Sequence, residues 1–142
     1  MHISIRETPF DPWQELREYQ QTLERGYGAT AVFVGTMRDF NEGAAVRSMH
    51  LEHYPGMTEK HLGKIAEHAA NRWDIRDGLI VHRVGAVNPL DTIVVVAVWA
   101  AHRAEALEAC RYLIEELKSK APFWKNERLA QGSRWVERNT RG

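Results

Sequence analysis

The chain has 142 residues, 44% hydrophobic and 27% charged, and its 19 Lys and Arg balance 19 Asp and Glu for a formal net charge of +0. This composition suits a compact globular chain and argues against a general nucleic-acid binder, which carries a basic excess. The single cysteine, Cys110, excludes an internal disulfide and favours a reducing, cytoplasmic setting, and neither a bilayer-spanning run of ~20 apolar residues nor a signal-peptide pattern is expected. No repeat or low-complexity linker divides the chain, so one domain over residues 1–142 is expected.

His2 to Glu7 suits a short strand. Asp11-Pro12-Trp13-Gln14 opens a helix, because Asp11 can cap and Pro12 fits the first helical position. Trp13, Leu16 and Leu23 mark its inner face, and Gly26 its end. Ala29 to Thr36 is apolar on both faces, the pattern of a strand in the middle of a sheet. Arg38 to Gly43 reads as a loop. Val46 to Tyr54 alternates, with Met49 and Leu51 on the covered face and His50 and Glu52 outside. After Pro55-Gly56 a helix carries Leu62, Ile65, Ala66, Ala69 and Trp73. Leu79 to Val87 and Thr92 to Ala101 form two strands across the turn Asn88–Asp91, and the second is a core strand. A helix starting at His102 or Arg103 presents Ala106, Leu107, Cys110, Leu113, Ile114 and Leu117, and Pro122 stops it. The order β-α-β-β-α-β-β-α implies an α+β fold, a mostly antiparallel sheet with helices packed on it.

The chain lacks a phosphate-binding glycine loop, a nucleophile elbow and a zinc pattern. Cys110 falls on a buried stripe and reads as a packed thiol. His61 and His68 share a helix face, but their spacing specifies no metal, and none is expected. His53 and His82 lie in strands and read as structural.

The basic residues say more. From Lys118 onward seven basic residues stand against two acids, a local +5 on a neutral chain. His102 and Arg103 put cationic side chains at the positive end of a helix dipole, which becomes favourable when an anion binds there. Arg38 leaves a neighbouring strand and could share that anion. Lys118 stands at the other end of the same helix, beside Lys120, Lys125 and the turn Ala121-Pro122-Phe123-Trp124. A lysine partly desolvated near other cations loses proton affinity and gains reactivity. Sixteen residues of helix separate 102 from 118, about 24 Å, so one small ligand cannot touch both ends. A site using both clusters must therefore be shared by two subunits.

These residues carry a resemblance. Gly35-Thr36-Met37-Arg38, Leu51-Glu52-His53-Tyr54-Pro55-Gly56-Met57, His82-Arg83-Val84-Gly85, Ala101-His102-Arg103 and Leu117-Lys118 with Ala121-Pro122-Phe123-Trp124-Lys125-Asn126-Glu127 resemble, in order, the large catalytic subunit of molybdopterin synthase. The resemblance runs from about Gly28 to Val136. It implies an α/β hammerhead fold, a homodimer within a heterotetramer, and a small ubiquitin-like sulfur-carrier subunit whose Gly-Gly tail arrives as a thiocarboxylate. The implied reaction adds two sulfurs to cyclic pyranopterin monophosphate, with no cofactor, to make the molybdopterin dithiolene. By position it makes Lys118 and Lys125 catalytic and puts Thr36, Met37, Arg38, His102, Arg103, Asn126 and Glu127 at the substrate. Arg38, His102 and Arg103 would take the phosphate, the His-Arg pair coming from the opposite subunit. Asn126 departs from the pattern, standing where a basic residue is expected. The competing reading from another class is a noncatalytic dimeric module that binds an anionic metabolite or a ubiquitin-like partner.

Overall fold

The computed structural model describes residues 1–41, 44–129 and 132–136, with side chains described at all of these except 40, 41, 44–47, 124–129, 132–134 and 136. The elements run β1 His2–Arg6, α1 Pro12–Gln20, β2 Ala29–Thr36, β3 Phe40–Asn41, β4 Ala44–His53, α2 Met57–Arg72, β5 Ile75–Arg83, β6 Gly85–Val87, β7 Thr92–Ala100, α3 Arg103–Lys120, β8 Phe123–Leu129 and β9 Gly132–Val136. The fold is α+β. A four-stranded sheet has the order β1-β5-β7-β2, and a second sheet runs β3-β4-β8-β9 with β6 alongside β4. Pairing is antiparallel except between β1 and β5, which are parallel.

Hydrophobic periodicity places the layers. The odd and even residues of β7 serve different faces of the first sheet. Val94, Val96, Val98 and Ala100 join α2 and α3 in one cluster through Leu62, Ile65, Ala69, Leu113 and Leu117. Val95, Ala97 and Trp99 face Leu16, Tyr19 and Leu23 on the α1 side. Asp11 caps α1 as its position implies, accepting from the Trp13 and Gln14 amides at 2.9 and 3.5 Å.

Several expectations are corrected. Trp13 is 57% exposed instead of facing inward, and α1 ends at Gln20, short of Gly26. The 29–36 strand is not central: among the described residues β2 pairs only with β7, and Val32 and Phe33 remain 37% and 38% exposed along its edge. Its apolar run matched a buried strand because both faces of an edge strand can also be apolar when something covers them. The loop after Arg38 includes β3, paired with the start of β4, while Glu42 and Gly43 lie outside the described residues. The 79–87 strand breaks after Arg83. Gly85, at φ 85°, turns the chain out of the first sheet, and β6 joins β4 in the second. On α3, Leu107 is exposed and Ala109 is buried in its stead. Beyond Pro122 come β8 and β9, which the sequence reading left out because their charged residues hide the alternation. Among the described residues no helix is long and apolar enough to cross a membrane.

Candidate active site

Strand register and helix direction decide where the predicted residues lie. Thr36 pairs with Thr92 at one end of the first sheet, and Ala29 pairs with Ala100 at the other. α3 starts just past Ala100 and runs back along the sheet, so its last turn returns to the Thr36 end. Thr36, Met37, Arg38 and Lys118 therefore share one end, and His102 and Arg103 occupy the opposite one.

At the first end, Lys118 lines a cavity of about 20 Å³ with Leu51, His82, Ile93, Leu117, Ala121 and Phe123. The lysine is half-buried. Apart from His82, its companions in the lining are hydrocarbon, so little but His82 competes for the hydrogens of its amine. Thr58 holds this corner together. Fully buried at the start of α2, its hydroxyl donates to the Pro122 carbonyl at 3.1 Å and accepts from the Tyr54 amide at 3.0 Å, so the turn after Lys118 is tied to the end of β4. Sequence reasoning passed over Thr58 as part of a helix start; the signal was its place directly after Pro55-Gly56-Met57.

Lys125, Asn126 and Glu127 lie on β8, opposite Leu51, His50 and Met49 of β4. Lys125 thus pairs with a residue that lines the Lys118 cavity. Thr36 and Arg38 are exposed, whereas the Met37 side chain is 3% exposed in the core. Both backbone groups of Met37 are engaged, its amide with the Asp91 carbonyl at 2.9 Å and its carbonyl with the Leu90 amide at 2.8 Å. Met37 consequently acts as an anchor that fixes where Thr36 and Arg38 emerge.

At the second end, His102 is the N-cap of α3 and makes no side-chain cap bond. Both His102 and Arg103 are exposed, and among the described residues Arg103 forms no ion pair with Glu105 or any other acid. Two basic side chains therefore stand beside helix amides that still have hydrogen bonds to give, an arrangement that suits a phosphate. Cys110 belongs to neither group: it is buried, its thiol donates to the Val96 carbonyl at 3.7 Å, and burial pushes its pKa up to about 11. His50 and Glu52 form an exposed pair at 3.1 Å, and among the described residues no three His, Cys, Asp or Glu converge on a metal position.

Residues 5–120 match the family model described as MoaE protein. The chain belongs to the MoaE family. A relative from Ralstonia nicotianae, named molybdopterin synthase catalytic subunit, is 50% identical over 135 residues, covering 95% of this chain and 76% of that one. The crystal structure of molybdopterin synthase from Staphylococcus aureus is 33% identical, covers 93% of this chain and 94% of its own, and superposes with a TM-score of 0.84. The same fold, at 22% identity and a TM-score of 0.78, occurs in a complex of subunits 1 and 2 of molybdopterin-converting factor from Helicobacter pylori, covering 95% of this chain and 90% of that one. Membership makes the chain an enzyme of molybdenum-cofactor biosynthesis.

Proposed function

We propose that this chain is the sulfur-transferring subunit of a molybdopterin synthase. It moves two sulfurs from the thiocarboxylated Gly-Gly tail of a small ubiquitin-like carrier to cyclic pyranopterin monophosphate. The observation that carries this is Lys118, a half-buried amine in an otherwise largely apolar cavity at the end of α3. In each transfer the thiocarboxylate sulfur bonds to a carbon of the pterin side chain as a carbon–oxygen bond there breaks, the oxygen leaving with the opened phosphate ester or as water. A second water then cleaves the acyl–sulfur bond and returns the carrier tail as a carboxylate. Lys118 polarises the thiocarboxylate and stabilises charge in the acyl intermediate, where a fixed cation in a dry pocket is most effective. Lys125 moves protons at the substrate, and Thr36, Asn126 and Glu127 adjoin the pterin, with Met37 anchoring the end of β2 that carries Thr36. Arg38, His102 and Arg103 hold the phosphate.

The last three residues come from two subunits in this proposal. β2 spans eight residues, about 27 Å, and its outer edge has no strand neighbour among the described residues. Two such edges, paired antiparallel about Val32 and Phe33, would bring Arg38 of one copy beside His102 and Arg103 of the other. The exposed apolar edge supports that pairing, since such an edge is otherwise an aggregation hazard. The test is mass spectrometry of the pterin after mixing the protein with cyclic pyranopterin monophosphate and a thiocarboxylated carrier. Dithiolene from the parent but not from Lys118→Ala is the expected result. Carrier binding without product from either would replace catalysis with a noncatalytic binding module.

A further inference from the structure

We propose that His82 is a positioning residue for Lys118, accepting a hydrogen bond from its ammonium at Nε2 across the cavity they share. The proposal rests on the catalytic reading of Lys118 above. His82 is 2% exposed and follows Leu79, Ile80 and Val81, all buried, on β5. An imidazole in such a row is costly to desolvate unless its nitrogens are used. Its Nδ1 lies 2.7 Å from the Arg83 carbonyl. A carbonyl oxygen only accepts, so Nδ1 carries a hydrogen, and in the neutral imidazole Nε2 is then the acceptor. The ring stacks on Phe123, centroids 3.8 Å apart and planes 12° from parallel, which fixes its rotation.

The cavity completes the argument. Of its seven lining residues only His82 and Lys118 carry a polar side-chain atom; Leu51, Ile93, Leu117, Ala121 and Phe123 do not. Its volume of about 20 Å³ has room for one water, so the bond is direct or passes through a single molecule. An ammonium held in this way meets the thiocarboxylate at a fixed angle, and misplacement of a reacting group by about 1 Å can lower a rate about 100-fold.

Two substitutions separate positioning from packing. In His82→Asn the amide nitrogen falls near Nδ1 and keeps the bond to Arg83 while Nε2 is lost. In His82→Gln an amide oxygen reaches the Nε2 position while the bond to Arg83 is lost. Dithiolene formation is measured beside thermal unfolding, with the parent and Lys118→Ala as references. The expected result is a crossing: the Asn variant melts higher but has kcat at least tenfold below the parent with KM unchanged, and the Gln variant melts lower yet recovers to within about threefold. Activity that follows stability across the pair overturns the proposal. Nitrogen-15 spectra of the imidazole in the intact protein give a readout independent of folding of the variants. The Nδ1–H tautomer is expected, with an Nε2 resonance that shifts in Lys118→Ala; an Nε2–H tautomer overturns the proposal. A parent that makes no dithiolene would refute the functional reading, and the spectra would still decide the His82–Lys118 contact.

Discussion

The phosphate site proposed above, divided between subunits, has a quantitative consequence in mixtures of inactive variants. Arg38 lies two residues past Thr36, which pairs with Thr92, and Arg103 lies three past Ala100, which pairs with Ala29. Seven residues of strand separate these register points, about 24 Å, and no single phosphate spans that distance. Arg38→Ala and Arg103→Ala are each expected to lower dithiolene formation at least 100-fold as homodimers. After subunit exchange at equal amounts, half of the dimers are mixed, and each mixed dimer has one site with both arginines and one with neither. Activity should then return to about one quarter of the parent's. Arg103→Ala mixed with His102→Ala should stay at the floor, because both residues serve the same side of the site. Native mass spectrometry establishes that mixed dimers formed. Mixed dimers without recovered activity would refute the division of the site, since residues acting within one chain leave every site lacking one arginine.

Three further outcomes follow from local geometry. Asp11→Ala removes the α1 cap and should lower stability by about 1 kcal/mol in urea unfolding; an unchanged midpoint would show that the helix start is held by packing alone. Burial, with Asp77 accepting the Tyr19 hydroxyl at 2.9 Å, pushes that phenol up to about 12. A raised folded pKa favours the neutral form, so this contribution is complete below the ordinary value of about 10 and disappears as pH rises to about 12. Tyr19→Phe should therefore be less sensitive than the parent to alkali over that window, and equal slopes would count against the contact. Cys110, with its thiol at about 11, holds little thiolate at pH 8. Iodoacetamide should modify it far more slowly in the native protein than in urea, and equal rates would contradict its burial.

The sequence disclosed most where one physical demand dominated. Core stripes on α2 and α3 repeat at helical spacing, and Asp11-Pro12 can do little but start a helix. The 93–99 run of β7 is buried throughout, as its composition requires. Failures came where the pattern was degenerate. An edge strand awaiting a cover and a central strand are both apolar on two faces, so β2 was misplaced. A strand that leaves its sheet keeps its alternation, so only Gly85 betrayed the break between β5 and β6. Of the residues proposed for the site, Lys118, Arg38, His102 and Arg103 were legible through charge and motif. His82 was not: sequence puts it in a strand, and only the packing of β5 against the end of α3 and the start of β8 shows which cavity it lines.

The passage of one continuous run from the first sheet to the second has a consequence for cooperativity. Residues 75–83 hydrogen-bond to β1 and β7, and two positions later the same backbone pairs with β4. The Val84 amide between them bonds to the Arg6 carbonyl at 2.9 Å, so the crossing point is itself fastened. Opening either sheet through this run loosens the other, so the two are expected to exchange their protected amides as one unit. The cavity around Lys118 takes Ile93 and His82 from one sheet and Leu51 from the other. Its walls are therefore drawn from both sheets, so loosening either one reaches the lysine.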